Sequence, residues 1–81
     1  MKVIVVLKKK KDNTEIDRMV IQKLEMMIEE IPWVDRANFD SSTFKLYADV
    51  DEDYDDEISQ SDFNNAINKW WIFRAINISF S

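Results

Sequence analysis

The sequence predicts one α+β domain over residues 1–81, its elements running strand, helix, strand, strand, helix, strand. Three observations carry that reading. Val3-Ile4-Val5-Val6-Leu7 is an unbroken β-branched and apolar run. Two later stretches repeat apolar residues at three- and four-residue steps, the period of a helix with one buried stripe. Three further segments are short and rich in aromatic or β-branched residues, and in two of them apolar and polar positions alternate, the period of a half-buried strand.

The opening run, residues 2–10, is apolar on both faces and so predicts a central strand covered on both sides. Lys8 to Lys11 carry it into solvent, and Asp12-Asn13 supply a turn. Thr14 with Asp17 three residues on predicts a helix start with Thr14 as the N-cap. Its apolar stripe is Ile16, Met19, Val20, Leu24, Met27, Ile28 and Ile31. Pro32 cannot extend the helix and disfavours helical geometry at Ile31, which places the end near Glu30.

Trp33–Asp40 and Thr43–Val50 are expected as a hairpin, turned at Asp40-Ser41-Ser42 without glycine. In the second of them Phe44, Leu46, Ala48 and Val50 alternate with Lys45, Tyr47 and Asp49. Ile58, Ser59, Asp62 and Phe63 then fit N′, N-cap, N3 and N4 of a second helix, residues 59–70. Phe63, Ala66, Ile67 and Trp70 are its buried stripe. Trp71–Phe80 reads as the last strand, with Ile76, Ile78 and Phe80 on one side and Asn77 and Ser79 on the other.

This order resembles the ferredoxin-like fold over the whole chain. The resemblance implies a four-stranded antiparallel sheet with two helices on one face and with the first and third strands central. It is a likeness of fold, which does not assign a function. Heavy-metal-associated domains share the layout, but Lys10-Lys11-Asp12-Asn13 stands where their cysteine pair would be. RNA-recognition domains share it too, yet the first strand lacks stacking aromatics and the third offers only Tyr47 beside Lys45.

Composition narrows the chemistry further. A domain this small needs a core dense in large side chains, and the three Trp, five Phe, two Tyr and four Met supply one. There is no cysteine, so disulfides and thiolate metal sites are excluded. There is no histidine, which removes Ser-His and Cys-His nucleophile pairs and the commonest transition-metal ligand. The absence of glycine excludes the glycine-rich phosphate loops. No catalytic residue and no cofactor is assigned, and the chain is read as a protein that is not an enzyme. No apolar run is long enough to cross a bilayer and no secretory signal is visible, so a cytoplasmic location away from membranes is expected. A net charge of −5 disfavours nucleic acid as a direct partner.

The richest stretch is Asp49-Val50-Asp51-Glu52-Asp53-Tyr54-Asp55-Asp56-Glu57, seven of whose nine residues are acidic. Residues 51–62 resemble an EF-hand calcium loop in spacing: Asp51, Asp53 and Asp55 fall at positions 1, 3 and 5, Glu57 at 7 and Asp62 at 12. Asp56 stands where that loop wants glycine, and a strand pattern precedes it where an EF-hand has a helix. A divalent-metal module is therefore the alternative reading. The leading one is a small acidic interaction protein whose run imitates the phosphate charge of nucleic acid and blocks a basic protein. Phage-encoded inhibitors of host defence are similar in size and charge. The expected partner surface is Asp49, Asp51, Glu52, Asp53, Asp55, Asp56 and Glu57 with helix 59–70, plus an aromatic patch at Trp70 and Trp71. A third reading, an oligomerisation module, follows from unpaired strand edges at Trp33–Asp40 and Trp71–Phe80, and a homodimer is expected.

Overall fold

The computed structural model describes residues 2–51 and 56–80, without the side chains of 56–59. Its elements are β1 (Lys2–Lys9), α1 (Arg18–Glu29), β2 (Val34–Asp40), β3 (Lys45–Val50), α2 (Asp56–Asn68) and β4 (Phe73–Phe80). The strands form one sheet in the order β2-β3-β1-β4, each antiparallel to its neighbours. With both helices on one face, this is the expected ferredoxin-like arrangement. Parallel β1 and β2 are joined through α1, and β3 lies between them, as the split βαβ pattern requires.

The core lies between the sheet and the helices. Val3, Val5 and Leu7 of β1, Leu46, Ala48 and Val50 of β3, Leu24 and Ile28 of α1, and Phe63 and Ile67 of α2 are all buried there. Burial of the Val, Leu, Ile and Phe side chains among them stabilises by about 1.5–3 kcal/mol each. β1 is central, but helices cover it on one side alone. Ile4 and Val6 face the open side and are half-buried by neighbouring strands. The doubly apolar run marks the middle of the sheet without marking a second covering layer.

Several boundaries differ from the sequence reading. Asp17, not Thr14, caps α1, its Oδ1 accepting the Val20 N–H at 2.9 Å. Thr14 belongs to the preceding turn, where its N–H donates to the Lys11 carbonyl and its own carbonyl accepts the Lys9 ammonium. Ile16, Val20, Met27 and Ile31 of the expected stripe pack on the core, but Met19 lies 78% exposed, on the rim of the stripe. Trp33 is buried in the turn before β2 and is not part of that strand.

The β2–β3 turn takes residues 41–44, so β3 starts at Lys45 and not at Thr43. Phe44 closes the turn with φ 57°, in the left-handed region. Without glycine in the chain, a bulky residue takes a conformation that costs it about 1–2 kcal/mol. Its ring offsets that cost by packing edge-on to Phe39, centroids 5.2 Å apart, and against Phe73 at 5.9 Å.

α2 begins at Asp56, about one turn ahead of the expected cap at Ser59. Asp56 and Glu57 then occupy a first turn in which negative charge is favourable. The helix ends at Asn68, so Trp70 falls in the turn beyond it, and β4 starts at Phe73 instead of Trp71. A bulge opposite Val6/Leu7 shifts the alternation of β4. Phe73 and Ala75 face the core, then Ile78 and Phe80, whereas Ile76 at the bulge is 58% exposed and off the expected face.

Candidate interaction surface

Charge is sorted along the strand direction. One end gathers the close of β1 with Lys8, Lys9, Lys10 and Lys11, the start of α1 with Arg18, the start of β3 with Lys45, and the start of β4 with Arg74. Lys69 follows the last residue of α2 at the same end. The other end gathers Glu29 and Glu30 where α1 stops, Asp35 where β2 starts, Asp49 and Asp51 where β3 stops, and Asp56 and Glu57 where α2 starts. Exceptions exist at both ends. Lys2 and Arg36 flank Asp49 in the strand register, and Asp12, Glu15, Asp17 and Asp40 lie among the basic residues. The segregation follows from topology, because antiparallel strands bring sequence-distant termini to one end.

Two lysines of the basic end serve the fold. The Lys9 ammonium donates to the carbonyls of Asp12 at 3.0 Å and Thr14 at 3.2 Å, closing the turn after β1. The Lys10 ammonium donates to the Asn68 carbonyl at 2.7 Å, a cation on the C-terminal end of α2 where the helix dipole favours it. Asp40 has a similar local role. Its Oδ1 accepts the hydroxyl and backbone N–H of Ser42 at 2.6 and 2.9 Å, bonds that hold its carboxyl below the ordinary 3.8.

The acidic end is joined through Trp33. Its ring meets Phe63 edge-on at 5.1 Å, its Nε1–H donates to Asp62 Oδ2 at 3.0 Å, and its carbonyl accepts the Asp51 N–H at 3.0 Å. One residue thus ties the start of β2 to α2 through its ring and to the residue after β3 through its backbone carbonyl. Glu30, Asp35 and Asp51 are exposed, while Asp49 is half-buried on the open face of the sheet.

Of the expected partner residues, Asp49 and Asp51 therefore stand together at this end, and α2 starts there with Asp56 and Glu57. Glu52, Asp53 and Asp55 lie outside the described residues, as do the side chains of Asp56 and Glu57. The chain around the expected calcium loop differs from an EF-hand: β3 leads into it where a helix would be, and α2 takes up residues 56–62. Asp62 points at the Trp33 indole. Among the described residues no three carboxylates gather as a metal-holding group.

Trp70 and Trp71 are at the opposite end, separated from the acidic residues by the length of α2, about 20 Å for thirteen residues. Trp70 is half-buried, tilted against Phe73 at 5.6 Å, with the Lys23 ammonium 5.7 Å from its ring centroid. Trp71 is 62% exposed and shares a shallow depression with Met19, Val20 and Ile72. The two surfaces expected to bind partners are thus separate. Glu25 and Glu29, which the sequence reading passed over, bond the outer edge of β2; their signal was a four-residue spacing on the flank of the α1 stripe.

Compared with protein-family models, with curated proteins and with solved structures, the chain matches none.

Proposed function

We propose that this domain acts by binding, its acidic end docking on a basic protein surface as a substitute for the phosphate backbone of nucleic acid, and so inhibiting that protein. The observation that supports the reading is the sorting of charge. Dispersed acids would give a weak field, whereas acids gathered at one end, with most cations at the other, give a directed one that steers association. The chain lacks the residues most used for general-base and nucleophile work, histidine and cysteine. The Asp40 carboxyl is held below its ordinary value, and Ser42 in a surface turn is the cause. Such a group shapes a turn.

The test uses an arginine-rich peptide bound to duplex DNA. The domain should displace the DNA by taking the peptide, with an affinity that falls about tenfold or more between roughly 50 and 200 mM salt. Replacing Asp51, Asp53, Asp55 and Asp56 together by Asn should abolish displacement while leaving the circular dichroism unchanged. An affinity indifferent to both salt and the four substitutions would overturn the reading.

A further inference from the structure

The two outer strands of the sheet are finished in different ways. In β2, Ala37 and Phe39 face the core and turn their N–H groups away from β3. Glu29 accepts the first at 3.0 Å and Glu25 the second at 2.8 Å, so carboxylates from α1 close that edge. The direction of the β4 groups follows from β1. The Leu7 N–H donates to Phe44 on the β3 side, and the Lys10 N–H donates to Ile72 on the β4 side. Alternation then makes Ile4, Val6 and Lys8 the residues that bond β4, through Ser79, Asn77 and Arg74. The backbone groups of Ala75, Ile78 and Phe80 point off the sheet. Asn68 Oδ1 takes the Ala75 N–H at 3.2 Å. Ile78 and Phe80 have no such acceptor among the described residues, and Ile76–Phe80 carries neither charge nor proline, the usual guards of an exposed edge.

We propose that this stretch of β4 pairs antiparallel with the same stretch of a second copy, joining two sheets into one of eight strands. Three features select a second copy as the occupant. Antiparallel pairing of identical strands closes on a twofold axis and leaves no further edge of this kind to extend. An uncharged segment sets no like charges opposite each other. Antiparallel pairing also reverses one domain against the other, so the basic end of each, with Lys10, Lys69 and Arg74, lies beside the acidic end of its mate. Parallel pairing would put like ends together. The inference does not rest on the proposed function, since it is argued from the backbone groups of β4.

The experiment takes the full chain over a wide concentration range, by sedimentation and by amide hydrogen exchange. A dimer is expected that weakens as salt rises from about 0.05 to about 0.5 M, because screening removes the attraction between opposite ends. The amides of Ile78 and Phe80, which lack a partner within the chain, should exchange on the order of tenfold more slowly when concentrated than when dilute. The Ala75 amide should show no such dependence. Asn77→Lys with Ser79→Lys changes two exposed residues and sets lysines opposite lysines across the pair; this variant should be monomeric with an unchanged circular dichroism spectrum. A millimolar solution that stays monomeric would overturn the proposal. So would a dimer that survives the double substitution, or one that Trp71→Ser dissolves while Ile78 and Phe80 exchange freely.

Discussion

The two ends of this domain differ in what their side chains are bonded to. At the basic end, Lys9 and Lys10 are tied to backbone carbonyls, and Phe39, Phe44, Trp70 and Phe73 form a continuous group of rings. At the acidic end the Trp33 indole reaches Asp62 and Phe63 of α2 and the Trp33 carbonyl reaches the exit of β3, and Glu30, Asp35 and Asp51 are exposed around it. A run of charge in a sequence therefore says little by itself about its use. The four lysines and the acidic run look alike as runs; in the first Lys9 closes a turn and Lys10 caps a helix, whereas Asp51 of the second lies exposed beside the turn that holds Trp33.

The sharpest way to break the contrast is Trp33→Ala. It removes a buried indole and leaves Asp62 without its donor, so the loss should be about 3–5 kcal/mol, a large part of the stability of a domain this small. Phe44→Ala at the other end should cost less, about 1–2 kcal/mol. The ring is half-buried, neighbouring rings remain, and the substitution does not relieve the left-handed backbone. Denaturant unfolding of both variants checks the order; equal losses would show the acidic end to be as redundantly held as the basic one.

Lys10→Met should have a smaller effect. It deletes the bond to the Asn68 carbonyl and a cation at a helix C-terminus, for about 0.5–1 kcal/mol. Neutralising the acids at the other end should leave stability the same or raise it, because like charges crowd there. The thermal midpoint should therefore fall in the first variant and not in the second.

The smallest effect concerns the β2–β3 turn. The Ser42 bonds lower the Asp40 carboxyl below 3.8, so its stabilising contribution is complete above that value and is lost as pH falls through the lowered midpoint. A carboxyl titration followed by nuclear magnetic resonance should place Asp40 below 3.8, and Ser42→Ala should bring it back towards that value.

Much of the architecture was legible in the residues. The period of α1 with Pro32 after it, and the alternation of Leu46, Ala48 and Val50, located α1 and β3 and their faces. The remaining features depend on tertiary context. Thr14 and Asp17 are both good caps, and Lys9 decided between them by holding Thr14 in the turn. Ile76 left its expected face because β4 bulges against β1, and a bulge has no local signal in a segment without glycine. The acidic run was legible as composition. Its separation from Trp70 and Trp71 was not, since that depends on the direction of α2 within the fold.

The central claim is that the acidic end, and not the aromatic patch, meets the partner. Amide and indole shifts recorded while the arginine-rich peptide is titrated into the labelled domain test it most directly. The largest changes should fall at Asp49, Asp51 and the first turn of α2 and should fade with added salt, with the Trp71 indole unmoved. Shifts concentrated at Trp71, Met19 and Ile72, and insensitive to salt, would contradict it.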